Sequence, residues 1–425
     1  MRNPVVGVDT LTSRPCMLSD PTTYGAGVPH HEFARLRQEA SVTWVEEVPQ
    51  WLRSPSGRTT TQGSGYWAVT RHAAVVDVSR QPEVFSSACR GSFFVDPKSR
   101  QDLERARQLL INMDAPQHTR VRGIVTDAFT PRAVRRLQEN IRMHAESIVE
   151  RVVREEQFDA VRDLAADLPL LVLADLLGMP RQDRGLMYKW SNNLVGFDDP
   201  EYGGGNIDAY QQTFVEAFEY ARELAASKRR QSSDDLVSFL VKSEIDGRRL
   251  SDSEFCHLWI LLVVGGNEST RHLLSGSLLA LVEWPRERDR LMAHPELVPR
   301  AVEEFLRWVS PIMQFRRTAV KDIELYGQRI KEGDKVVLYF ISANRDQVVF
   351  DSPNNLDLAR TPNPHLAFGI GAHFCLGAHL ARLETACLLD ALRPHLSKFG
   401  LTGPIVRLKS NFMSGIKSMP ARFVQ

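Results

Sequence analysis

The segment that begins at Ser251 constrains this chain more than any other. Ser251-Asp-Ser-Glu254 is a capping box, in which a serine and a glutamate satisfy each other's backbone N–H groups at a helix start. No proline follows before Pro285. The helix can therefore run about thirty residues, or about 45 Å at 1.5 Å per residue. A rod of that length crosses a whole domain, and other elements must pack around it. Its middle carries Gly265-Gly266, and each interior glycine costs about 1 kcal/mol relative to alanine. Two adjacent glycines need a cause. Either another helix packs closely there, or a ligand lies flat against the backbone. Beside them Glu268 is an acid that follows the apolar run of the helix.

The rest of the chain reads as helical with a minority of strand. Gly65 to Thr70 has a strand pattern, and His72 to Ser79 a helical one that Pro82 follows as a break. Thr130-Pro131, an N-cap followed by proline at the first helical position, opens a mostly helical stretch to about Lys228. After Pro311 come short strand-like runs at Ile323–Tyr326 and Lys335–Phe340. A last helix follows Cys375, with Leu380, Leu383 and Cys387 on one face. No repeat or linker divides the sequence. The expectation is one mainly α domain with a minor β region over residues 1–425.

Composition narrows the function classes. With 53 basic against 52 acidic side chains, nothing points to a nucleic-acid partner. The five cysteines, Cys16, Cys89, Cys256, Cys375 and Cys387, are scattered and lack CxxC spacing. That pattern fits a reducing cytoplasm, with neither a disulfide framework nor a cysteine-rich zinc site. The N-terminus holds no apolar run long enough for a signal peptide or membrane anchor, and the longest apolar stretch, Trp259–Val264, is too short to span a bilayer. A cytoplasmic protein without a membrane anchor is expected.

The most informative stretch is Phe368-Gly-Ile-Gly-Ala-His-Phe-Cys-Leu-Gly-Ala-His-Leu-Ala-Arg382. Glycines flank Cys375 on both sides, and a helix starts just after it. A helix N-terminus stabilises a thiolate through free N–H groups and the dipole, and glycines let backbone approach the sulfur closely. A lone cysteine is usually a buried packing residue. The whole pattern, however, resembles the cytochrome P450 haem-binding signature F-x-x-G-x-H-x-C-x-G at every position. Glu304-Phe-Leu-Arg307 looks like that family's E-x-x-R pair, with Arg360 as its third partner. Asp114-Ala-Pro-Gln-His-Thr-Arg-Val-Arg122 is similar to its D-P-P-x-H-x-x-x-R segment. The matches run from about Tyr66 to Pro420, and the first sixty residues match nothing.

The resemblance implies the cytochrome P450 fold, with the long central helix over a haem b, and a haem-thiolate monooxygenase that uses O2. Cys375 would be the ligand to iron, while His118, Arg122, Arg317 and His373 would hold the haem propionates. Arg317 is placed there ahead of Arg316 by alignment to the family pattern. Aligning Gly265-Gly-Asn-Glu-Ser-Thr270 with the family's A-G-x-D/E-T makes Glu268 and Ser269 the catalytic acid–alcohol pair that supplies protons, with Thr270 as the rival hydroxyl. Serine stands where threonine is usual; it keeps the hydroxyl but lacks the methyl that restricts χ1.

Electrons would come from NAD(P)H through an external ferredoxin and ferredoxin reductase, docking near Arg120, Arg132 and Arg382. The substrate would be a hydrophobic small molecule such as a steroid, terpenoid, branched lipid or polyketide. The variable loops around 86–107 and 186–205 would face it, and Gly203-Gly-Gly205 would be a flexible lid element. A haem-binding sensor, and a haem-thiolate enzyme driven by peroxide or doing non-monooxygenase chemistry, stay open as alternatives.

Overall fold

The computed structural model describes residues 18–54, 57–61, 63–245 and 247–424. Residues 1–17, with Cys16 and most of the stretch read as lacking a leader or anchor, lie outside these.

The capping box forms as the sequence requires. The Ser251 Oγ accepts from the Glu254 N–H at 3.2 Å, and the Glu254 carboxylate accepts from the Ser251 N–H at 2.9 Å. The helix it opens runs Asp252–Glu283, 32 residues. It stops where Pro285 disfavours helical backbone at the preceding residue. Around it pack the helices Asp167–Leu177, Arg184–Val195, Ile207–Arg230, Val298–Val309 and Ala378–Leu392. The fully buried Trp259 meets Trp190 edge-on at 5.6 Å, an apolar anchor between the long helix and Arg184–Val195.

The minority β structure lies to one side. A five-stranded sheet has the order Val42–Val45, Tyr66–Val69, Lys335–Tyr339, Gln314–Ala319, Phe85–Ser86. Only the Tyr66–Val69 and Lys335–Tyr339 pair is parallel. The expected elements are present: the strand in Gly65–Thr70, the helix His72–Ser79, the Thr130 cap accepting from the Ala133 N–H at 3.3 Å, and the helix after Cys375.

The glycine pair divides the two readings between its members. A Cβ on Gly266 would come within 3.0 and 3.2 Å of the Leu173 methyls, so this glycine serves close packing. A Cβ on Gly265 would meet nothing within 4 Å, and Gly265 is exposed in the middle of a helix wrapped by others. The open space beside it is a hollow on one face of the long helix.

Gly203-Gly-Gly205, expected as a flexible lid element, forms a hydrogen-bonded turn in this structure. A Cβ on Gly203 would lie 2.4 Å from the Phe197 Cα, so the glycine permits contact rather than motion. The turn is tied through the Gly203 N–H to the Gly196 carbonyl at 3.0 Å and through the Gly205 N–H to the Phe197 carbonyl at 2.7 Å. Asp199 is pinned by Lys417 at 3.0 Å.

Candidate active site

Cys375 sits between the 3₁₀ turn Gly371–His373 and the helix Ala378–Leu392. Its N–H donates to the Phe368 carbonyl at 2.8 Å, which closes the loop. Gly371 has φ +78, and a Cβ there would lie 2.6 Å from the Ser79 carbonyl oxygen. Only glycine lets the loop take that path.

Cys375 is exposed in area, yet desolvation by the surrounding protein pushes its thiol up, against the pull of the Gly377 N–H, Arg122 and Arg382. Among the described residues no three His, Cys, Asp or Glu side chains gather to hold a metal ion.

The four predicted anion-binding residues meet beside this loop. His118 and Arg122 lie one turn apart on the helix Gln117–Thr126. His118 and His373 stand ring to ring at 4.2 Å. Arg122 donates to the Phe374 carbonyl at 2.6 Å. Strand alternation separates the two arginines of Gln314–Ala319. Arg316 pairs with Asp96 at 2.8 Å. Arg317 is buried among the others.

The electrostatics are one-sided. Desolvation and then Arg317, His118 and Arg122 push His373 down to about 2, and desolvation lowers Arg317 to about 10 with Asp114 as the countering charge. The buried Nε2 of His118 has no hydrogen-bond partner among the described residues. Two arginines and an unpartnered imidazole nitrogen make a setting that suits an anion.

Asp114 was quoted in the sequence motif without a role. It accepts from the Ser86 hydroxyl at 2.5 Å and the Ser87 N–H at 2.9 Å, and Ser87 Oγ lies 3.2 Å from His373 Nε2. It thereby fixes the start of the 86–107 loop beside the cluster. The E-x-x-R reading is met in geometry. Glu304 and Arg307 are fully buried and paired at 2.7 Å, and Arg360 reaches Glu304 at 3.0 Å.

On the long helix, Ser269 is half-buried one turn after Gly265, and its hydroxyl donates to the Gly265 carbonyl at 2.7 Å. It shares the face that opens on the hollow, whereas Thr270 is buried. Glu268 is almost wholly buried and bonded to Arg271. Burial pushes its carboxyl up, outweighing Arg271. Arg271 in turn donates to Asn192 at 2.9 Å and stacks on Tyr188, while Asn267 donates to Ser191 at 2.9 Å. Arg271 and His272 went unnoticed in the sequence. Their signal was present, charges three and four residues after an acid in an apolar helix. Arg382, expected at a docking face, is engaged with Glu303 at 2.6 Å and stacked on Phe368 at 4.6 Å.

Known proteins resemble this chain over most of its length. A family model, Cytochrome P450, matches residues 204–402. A steroid C26-monooxygenase of Rhodococcus jostii is 37% identical over 420 residues, which is 97% of this chain and 86% of that protein. A methyl-branched lipid omega-hydroxylase of Mycobacterium tuberculosis is 38% identical over 424 residues, 98% of this chain and 95% of that one. Among solved structures, a Mycobacterium marinum cytochrome P450 in complex with pseudoionone superposes with TM-score 0.87 at 38% identity, covering 97% of this chain and 100% of that one. Fold and relatives together define an oxygen-incorporating oxidoreductase that acts on a hydrophobic small molecule. The chain belongs to the cytochrome P450 family, whose members use haem iron and O2. No helix among the described residues is long and apolar enough to cross a membrane.

Proposed function

We propose that Cys375 ligates the iron of a haem b and that His118, Arg122, Arg317 and His373 hold its propionates. The observation that carries this is the pairing of a desolvated but accessible thiol with two arginines and two histidines gathered beside it, one buried imidazole nitrogen of which has no partner among the described residues. The residues present fit a flat macrocycle with two carboxylates and a metal centre. Cations adjacent to the sulfur favour the thiolate, and a coordinating thiol loses its proton outright. When bound, a thiolate-ligated haem supplies the iron that activates O2.

The chain's own residues do the rest. The Gly265 face leaves room over the backbone. Ser269 presents a hydroxyl on that face, and Glu268, one residue back and kept from water, holds the proton that the hydroxyl hands on. A haem-binding sensor needs no such acid in an apolar helix, so Glu268 favours the enzyme. The substrate is a hydrophobic molecule of the steroid, terpenoid, branched-lipid or polyketide kind, a reading supported by the names of the relatives. Electrons reach the protein from NAD(P)H through a ferredoxin and its reductase, in the cytoplasm.

The test is spectroscopic. The reduced protein with carbon monoxide should show the strongly red-shifted Soret band of thiolate ligation, and Cys375→Ser should abolish it. Retention of that band in Cys375→Ser refutes the assignment. Ser269→Ala should keep haem and substrate binding while releasing more peroxide per electron, and Ser269→Thr should preserve coupling. A coupled Ser269→Ala beside an uncoupled Thr270→Ala moves the hydroxyl role to Thr270.

A further inference from the structure

His272 is a buried histidine with no evident structural task. Its side chain is fully buried, and neither ring nitrogen has a hydrogen-bond partner among the described residues. Leaving such a group unpaired costs stability, so its presence calls for a reason. The surroundings are shaped to hold the ring. A Cβ on Gly415 would lie 2.7 Å from both His272 Cε1 and His272 Nε2, so the glycine makes space for the imidazole. Glu268 is beside it, its Oε2 3.5 Å from His272 Nε2, just beyond a hydrogen bond.

The helical wheel gives this placement a meaning. At about 100° per residue, the order around the long helix is Arg271, Glu268, His272, Gly265, Ser269. Arg271 therefore draws the Glu268 carboxylate away from the face that opens on the hollow. His272 lies between Glu268 and that face. Burial and Arg271 keep the imidazole neutral, so it retains one N–H to donate.

We infer that His272 is a positioning residue for Glu268: its ring N–H receives the carboxyl group when that group leaves Arg271 and holds it toward Ser269. This rests on the proposed role of Glu268 as the acid. Arg271 then marks a parked position and His272 a delivering one, a small rotation apart. The unpartnered Nε2, the ring nitrogen that faces Glu268, follows from the structure having captured the parked position.

The haem-loaded enzyme tests this through three variants. His272→Phe keeps a ring and removes the donor, and His272→Gln restores a donor. Product formed per electron should fall about tenfold in His272→Phe, the scale of one lost hydrogen bond to a charged group, and should recover in His272→Gln. Substrate affinity should not change. A second readout is independent of turnover. In crystals grown with substrate, the wild-type Glu268 carboxyl should turn to His272, whereas in His272→Phe it should stay on Arg271. If His272→Phe does not fold, His272→Met, which also lacks a donor, replaces it. Full coupling in His272→Phe, or failure of His272→Gln to restore it, overturns the inference. Glu268→Gln separates the two levels. If it is fully coupled, the acid role itself falls; if it uncouples while His272→Phe does not, only the role of His272 falls.

Discussion

Alanine at three glycines of one helix should produce three different signs. Gly265, Gly266 and Gly276 all lie inside Asp252–Glu283. Each replacement gains about 1 kcal/mol of helix propensity, so differences among them report only what the new methyl meets. At Gly265 it meets nothing within 4 Å, and the full gain of about 1 kcal/mol should survive. At Gly266 it comes within 3.0 and 3.2 Å of the Leu173 methyls, the end of a side chain that can give way by a few tenths of an ångström. Gain and crowding should nearly cancel there. At Gly276 the methyl would lie 2.8 Å from both Val309 methyls, on a buried position of the helix Val298–Val309. Overpacking costs about 1–3 kcal/mol, so the net effect should be destabilising by about 1 kcal/mol.

Melting temperature is a blunt readout for this series. An unfolding entropy of about 2.1 cal/mol/K per residue, over 425 residues, makes 1 kcal/mol worth only about 1 °C. Native-state hydrogen exchange of peptides covering the long helix is sharper, since 1 kcal/mol is about fivefold in an opening equilibrium. Exchange should slow about fivefold in Gly265→Ala, stay level in Gly266→Ala and quicken about fivefold in Gly276→Ala. The family pattern has alanine at the Gly265 position, so Gly265→Ala should also retain the carbon monoxide band. Equal shifts in all three variants, or a destabilised Gly265→Ala, would refute both the hollow and the packing assigned to this helix.

Glu304→Ala leaves Arg307 and Arg360 without their shared buried carboxylate, a loss of about 3–5 kcal/mol; the yield of haem-loaded protein should collapse. Glu384 is buried, its Oε2 has no hydrogen-bond partner among the described residues, and burial pushes its carboxyl up from 4.5 to about 8. Because the folded value is the higher one, stability should fall as pH rises from about 4.5 toward 8, and denaturant titrations across that window should find the slope flattened in Glu384→Gln. Reduction by an acidic ferredoxin should slow as ionic strength rises, and Arg132→Glu, at an exposed position, should slow it at low salt; a rate indifferent to salt counts against that docking face.

What the sequence made legible was local. A capping box, a glycine-flanked cysteine before a helix and an N-cap followed by proline each fix a few backbone angles through short-range hydrogen bonds, and each formed where read. Gly265 and Gly266 could not be told apart, because the cause of each lies on a different neighbour: Leu173 for one, open space for the other. Gly203 misled for a related reason. Glycine permits motion and permits contact equally well, and only the position of Phe197 decides between them.

The acid shows the same limit at the site itself. The family pattern singles out Glu268, but not that its carboxylate is bound to Arg271 on its own helix, with Asn192 and Tyr188 behind that arginine. A buried acid tied to a cation is held away from its task, so delivery requires the tie to break. If Glu268 is the proton-delivering acid proposed above, it is a two-position group. Its efficiency rests on the balance between Arg271 and whatever receives it on the open face, and sequence alone carries no measure of that balance.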